Sequence, residues 1–180
     1  MSTTVAIIGA GPLGRWLALA AARAGFSVLL EDVMPNNLQH AQELLRLELS
    51  PAALPAVAFV STIEDAVHDA DLVIDCVPDE LESKLEIFWL LDRMAPPRTV
   101  FATPTTRLSI ADLANCTYRP TQCIALAVEA SSLAANSGKA ILLRTAPQTS
   151  PETVALLDRF CRRLGFIPTF EPDPAGQPTS

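Results

Sequence analysis

Three glycines frame the run Gly9-Ala10-Gly11-Pro12-Leu13-Gly14, which follows the β-prone stretch Thr4 to Ile8 and precedes an alanine-rich one. A G-x-G-x-x-G run between a strand and a helix can hold a diphosphate. The first glycine permits a tight turn, the second lets the phosphates approach the backbone, and the third lets the helix pack close to the sheet. The helix end offers its unpaired N–H groups and the positive end of its dipole to the anion. Pro12 suits the first helical position, where its missing N–H has no intrahelical partner to lose, and Leu13 follows it in the same turn. Asp32 stands 18 residues beyond Gly14, at the end of a second predicted strand. A carboxylate there accepts hydrogen bonds from the adenosine ribose hydroxyls and repels a 2′-phosphate, so the pattern predicts NAD rather than NADP. Glu31 is the competing carboxylate, and strand register decides between the two.

The elements that must position these residues follow from apolar periodicity and from turn residues. Thr4 to Ile8, Ser27 to Leu30 and Ala56 to Val60 read as strands, as does the apolar run Leu72 to Val77, interrupted only by Asp75. Helices are predicted from Pro12 to Ala24, Asn37 to Leu49 and Ile63 to His68. Another opens at Pro78-Asp79-Glu80-Leu81-Glu82 and carries one apolar face through Leu81, Leu85, Phe88 and Leu91 before Pro96-Pro97. Thr99 to Thr103, Cys123 to Val128, Lys139 to Leu143 and Phe166 to Phe170 are further strands. Helices fall at Ile110 to Asn115 and at Pro151 to Leu164, the latter capped by Ser150 and stopped by Gly165. This alternation predicts an α/β protein with a Rossmann-type, doubly wound, mostly parallel sheet and helices on both faces. The expected organisation is one dinucleotide-binding domain over residues 1–170 and a mobile tail over 171–180 containing three prolines.

Composition agrees with a compact soluble protein, since 49% of the residues are hydrophobic and only 18% are charged. A net charge of −7 argues against a nucleic-acid partner. Arg15, Arg23 and the glycines break the early apolar stretches, so no signal peptide or membrane span can be drawn and a cytoplasmic location is expected. Cys76, Cys116, Cys123 and Cys161 are irregularly spaced without a C-x-x-C pair, and His40 and His68 fall in predicted helices, so no metal site is expected.

From Asp71-Leu72-Val73-Ile74-Asp75-Cys76-Val77-Pro78-Asp79-Glu80-Leu81-Glu82-Ser83-Lys84 onward the chain resembles the NAD-binding domain of the 3-hydroxyacyl-CoA dehydrogenase family. The resemblance continues in order through Leu85-Glu86-Ile87-Phe88, Ala95-Pro96-Pro97, Thr103-Pro104-Thr105-Thr106-Arg107-Leu108-Ser109-Ile110 and Pro147-Gln148-Thr149-Ser150-Pro151-Glu152-Thr153. It implies that Asp79 and Lys84 line the nicotinamide-ribose end of the cofactor site. It also implies that Thr106 replaces a serine that contacts substrate or cofactor. On local pattern alone, Asp79 with Glu82 is also a helix-capping pair and Lys84 a solvated helix residue.

The family removes the substrate hydroxyl proton with a histidine of a His-Phe-Phe-Asn-Pro motif, held by a glutamate further along. The matching stretch here is Ala127-Val128-Glu129-Ala130-Ser131, with Ala127 at the histidine position and Ala130 at the asparagine position. The glutamate position falls on Lys139 without a gap, or on Leu142 when aligned back from Pro147. Neither is a carboxylate, so a general-base contribution of roughly 10²- to 10⁴-fold has no carrier there. Pro104 and Arg107 also replace an asparagine and a serine, and the chain stops where the family's helical C-terminal domain is expected to begin. These departures predict an NAD-binding protein without hydroxyacyl-CoA dehydrogenase chemistry and with no catalytic residue assigned. The alternatives are an oxidoreductase on a 3-hydroxyacyl-CoA or smaller hydroxy substrate using Glu129 or Asp79 as base, or a half-protein completed by a separate helical chain. Apolar surface left by a missing domain predicts a homodimer, formed through Lys139 to Phe170.

Overall fold

The computed structural model describes residues 3–128 and 140–174. The chain divides into two compact units, residues 1–77 with 94–99 and residues 78–93 with 100–180.

In the first unit, strands β1 (Thr4–Ile8), β2 (Ser27–Glu31), β3 (Val57–Val60) and β4 (Leu72–Asp75) alternate with helices α1 (Pro12–Arg23), α2 (Pro35–Glu48) and α3 (Ile63–Val67). The strand order is β3-β2-β1-β4 and every pairing is parallel, with Ile8 opposite both Glu31 and Asp75. Val5, Ala6, Ile7, Leu72, Val73 and Ile74 are wholly buried, as strands of a parallel sheet covered by helices require. The order reverses at β1, where the chain first runs out to β2 and β3 and later returns to β4 on the other side. In open α/β sheets this switch point leaves a crevice beyond the strands' carboxyl ends. The glycine loop leaves β1 there.

The second unit holds α4 (Leu81–Met94), β5 (Val100–Pro104), α5 (Ile110–Asn115), β6 (Cys123–Leu126), β7 (Ala140–Thr145), α6 (Pro151–Arg163) and β8 (Ile167–Pro172). Its strand order is β5-β6-β7-β8, with β5/β6 and β7/β8 parallel and β6/β7 antiparallel. Phe88 and Phe101 meet edge to face at 5.9 Å between ring centroids in its core. The Arg119 guanidinium lies 4.9 Å from the Phe101 ring centroid and pairs with Asp92 at 2.8 Å. Ser109 and Ser150 cap α5 and α6 by accepting from the N–H groups of Asp112 and Thr153, and Pro151 opens α6 as expected.

The fold is thus the Rossmann-type α/β architecture expected, with all described pairings parallel but one. Of the boundaries that shift, β6 ending at Leu126 rather than Val128 and α2 spanning Pro35–Glu48 among them, two bear on the elements around the site. Strand β4 ends at Asp75, whose carboxylate is 1% exposed and accepts from the Val77 N–H at 3.0 Å, so the chain turns before Val77. Strand β8 runs past the expected boundary at Phe170 to Pro172, and Asp173 is buried, its Oδ2 accepting from Ser109 Oγ at 2.8 Å and the Ala111 N–H at 3.0 Å. Residues 171–173 therefore belong to the folded unit rather than to a tail, because the start of α5 needs their carboxylate; residues 175–180 lie outside the described residues.

Candidate functional site

The glycine loop joins β1 to α1 with the backbone that a bound diphosphate demands. Gly9 has φ +101°, a left-handed conformation that L side chains rarely adopt, and its N–H donates to Glu31 O at 2.9 Å. A Cβ at Gly14 would stand 1.8 Å from Gly9 O, so only hydrogen lets the helix begin this close to the strand. At Gly11 a Cβ would meet nothing within 4 Å. Protein packing therefore makes no demand for glycine at this position, which fits backbone kept bare for a ligand. Gly11 caps α1 without any side-chain hydrogen bond, Pro12 starts the helix and no acidic residue occupies its first turn. A helix end without a side-chain cap or an acidic first turn suits an anion.

The two candidate carboxylates differ in their contacts. Asp32 Oδ2 accepts from the Ala10 N–H at 2.8 Å and from Asn37 Nδ2 at 3.1 Å, while Oδ1 accepts from the Met34 N–H at 2.8 Å. Asp32 is thereby locked to the loop itself. Glu31, the last residue of β2, is 5% exposed. Burial, reinforced by the neighbouring Asp32 charge and partly offset by a hydrogen bond from the Gly9 backbone, pushes its carboxyl up to about 7.

In the second unit, Asp79 is half-buried with its Oδ1 inaccessible and unpartnered. It precedes the first residue of α4, Leu81, by two positions. Lys84 is 1% exposed and is no solvated helix residue. Thr106 is half-buried, and its carbonyl accepts from Arg144 Nη1 at 3.4 Å. Arg107 Nη2 donates to Asp79 O at 2.8 Å. Thr105 organises this turn, its Oγ1 accepting from the N–H groups of Arg107 and Leu108.

Ala127 and Leu142 come together across the antiparallel ladder. Leu126 pairs with Leu143, and the Ala127 N–H donates to Leu142 O at 2.8 Å, so the next rung brings these two residues opposite each other. Of the two candidates for the glutamate position, Leu142 is thus the one paired with Ala127. Glu129, Ala130 and Lys139 lie outside the described residues.

The family model for the 3-hydroxyacyl-CoA dehydrogenase NAD-binding domain matches residues 4–170. The chain belongs to this family. Similar proteins include a probable 3-hydroxybutyryl-CoA dehydrogenase of Bacillus subtilis, 32% identical over 135 residues and covering 68% of this chain and 47% of that protein. The mitochondrial hydroxyacyl-coenzyme A dehydrogenase of Rattus norvegicus is 30% identical over 190 residues, covering 96% and 60%. The crystal structure of (S)-3-hydroxybutyryl-CoA dehydrogenase from Ralstonia eutropha shares the fold with a TM-score of 0.86 at 23% identity, over 98% of this chain and 65% of that one. The chain thus spans 47% and 60% of the two curated relatives described.

As a domain of this family the chain binds NAD, and the bare Gly11 backbone with the uncapped end of α1 fits its diphosphate. When bound, NAD supplies a hydride acceptor; the protein's own part is to hold the phosphates and the adenosine ribose. Among the described residues no helix is long and apolar enough to cross a membrane. Sequence reasoning missed Asn37, Thr105 and Arg144. Asn37 sits five residues beyond Asp32 in the first turn of α2, a local signal that could have found it; Arg144 reaches its partner from another strand and carried no such signal.

Proposed function

We propose that this domain is a cofactor-responsive or partner-binding NAD(H) protein that has lost the proton-transfer step of its family. The observation that carries this reading is the Ala127–Leu142 rung. Two hydrocarbon side chains occupy facing positions where, by the family resemblance, a histidine and its glutamate belong. Neither can accept a proton or hold an imidazole, so hydride transfer from a hydroxyl carbon has no base at that position to accompany it. Gly9, Gly11, Pro12, Leu13 and Gly14 would hold the diphosphate and Asp32 the adenosine ribose. Asp79, Lys84 and Thr106 would serve the nicotinamide-ribose end. The unpartnered Oδ1 of Asp79 supports that assignment, because a buried acceptor gains by meeting a hydroxyl donor.

Calorimetric titration with NAD and NADH, followed by an assay of (S)-3-hydroxybutyryl-CoA oxidation on the same preparation, tests this. Saturable cofactor binding without NADH production is expected; NAD-dependent oxidation by the pure protein would overturn it. A second reading keeps turnover on a 3-hydroxyacyl-CoA or smaller hydroxy substrate, and the same orphaned Asp79 oxygen favours it, as a replacement base. Unchanged turnover in Asp79→Asn would remove Asp79 as that base, and absence of any turnover would remove the reading itself. We place the protein in the cytoplasm, in the company of fatty-acid metabolism, as a homodimer formed through residues 139–170. Sedimentation as a monomer at micromolar concentration would contradict the dimer.

A further inference from the structure

We propose that Arg107 and Arg144 bind the free carboxylate of a small ligand, in the place where relatives of this domain would receive an acyl thioester. The inference rests on the reading that Ala127 and Leu142 have taken the positions of the proton-transfer pair, and it names the class of ligand that then suits the site.

Strand register gives the first argument. Arg144 stands two residues from Leu142 on β7 and opposite Ala125 on β6, so it projects from the same sheet face as the Ala127–Leu142 rung. That face has lost two polar groups and holds a cation beside them. Arg144 is half-buried, and its guanidinium meets the Thr106 carbonyl at a long 3.4 Å. Arg107, the next residue along, projects from the turn organised by Thr105 and reaches the Asp79 carbonyl. The Arg144 guanidinium is therefore tied to the turn after β5 that carries Arg107, and the Arg107 guanidinium to the loop before α4.

The second argument is charge. The protein carries 20 acidic residues against 13 lysines and arginines, yet among the described residues neither Arg107 nor Arg144 has an acidic side chain within ion-pair distance. By contrast Arg23, Arg98, Arg119 and Arg162 each hold a carboxylate. A guanidinium carries five N–H donors, and the hydrogen bonds described use one on each, to a neutral carbonyl. Arg144, the half-buried one of the two, gains most in that state from an anion that takes two donors at once, the geometry of a carboxylate on a planar fork, while Arg107 is exposed. A thioester carbonyl is neutral and offers no such exchange.

Two carboxylates lie on the elements beside these cations: Asp79, whose backbone oxygen, not its carboxylate, is the group Arg107 holds, and Glu171, the register partner of Arg144 on β8. Both temper the attraction, and Arg144, half-buried where Arg107 is exposed, is the stronger determinant.

The test titrates acetoacetate, acetoacetyl-CoA and inorganic phosphate into the full chain by calorimetry, with and without NADH. Acetoacetate should bind saturably, weakened at least about tenfold by Arg144→Ala and several-fold by Arg107→Ala. Arg144→Gln, which keeps the length of the side chain without its charge, should match Arg144→Ala if packing is not the cause. NADH affinity should stay within about twofold in all of them. No heat with acetoacetate, or heat indifferent to both arginines, would overturn the proposal, as would phosphate displacing acetoacetate at equal concentration. Failure of NADH to bind while acetoacetate still does would count against the cofactor reading alone. Oxidation of hydroxybutyryl-CoA would count against the missing base alone.

Discussion

Gly11 and Gly14 separate what a glycine does for folding from what it does for a ligand. Gly14→Ala would force a Cβ to within 1.8 Å of the Gly9 carbonyl, so both stability and NAD affinity should fall. A contact that short displaces backbone, and a loss of about 2–4 kcal/mol, in the upper range for single substitutions, is expected in denaturant unfolding. Gly11→Ala meets open space and keeps a negative φ of −68°, so its unfolding midpoint should match the parent. Its NADH affinity should still drop about tenfold or more, worth about 1.4 kcal/mol. If both variants lost only stability, the loop would be a packing device. Glu31 offers a second prediction at this scale. Its carboxyl titrates near 7 in the folded protein and near 4.5 when unfolded, so the folded state holds a proton that the unfolded chain has released between those values. Stability from this group is full below pH 4.5 and declines as pH rises toward 7. Thermal melts should show Glu31→Gln losing less stability than the parent between pH 5 and pH 7.5; parallel curves would remove the assignment. The conformational demand on Gly9 and the packing demand on Gly14 were legible in the sequence because they are local. The titration of Glu31 was not, because it depends on burial that only the folded sheet provides.

Strands β1 to β4 were legible to within two residues, since parallel strands covered by helices must be almost continuously apolar and their ends are marked by Gly, Asp or Pro. The antiparallel course of β7 was not, because Ala140–Thr145 has the same apolar character whichever way it runs. That direction places Leu142 opposite Ala127, and an engineered pair can test it without any substrate. The imidazole introduced by Ala127→His should titrate about one unit higher by NMR when Leu142→Glu is added, since an adjacent carboxylate favours the charged ring. Identical titrations would mean that the two residues do not face one another. The end of β8 taught the opposite lesson. Three prolines and a glycine suggested a tail from Glu171, yet Asp173 supplies two hydrogen bonds to the start of α5. Asp173→Ala should cost about 1–3 kcal/mol in unfolding, the desolvation penalty of buried donors left unpaired. A neutral result would return Asp173 to the tail.

For the chain as a whole, cofactor binding and stability are linked, because a ligand held only by the folded protein stabilises it by RT ln(1 + [L]/Kd). At a hundred times Kd this is about 2.7 kcal/mol. For a chain of 180 residues that corresponds to a rise in Tm of roughly 5–10 °C. The size of the shift tests affinity; its dependence on the nucleotide tests geometry. Asp32 is held to the loop through the Ala10 N–H and steadied by Met34 and Asn37, so it cannot swing away from a ribose bound there. A 2′-phosphate would confront this fixed carboxylate with no described arginine bonded to it, whereas ribose hydroxyls would donate to it. NADH should therefore raise Tm well above any shift with NADPH at equal concentration, and Asp32→Asn should narrow the gap chiefly by weakening the NADH effect. Equal shifts from the two nucleotides would mean that the adenosine ribose lies elsewhere, and the diphosphate end of α1 would then have to be judged by Gly11→Ala alone.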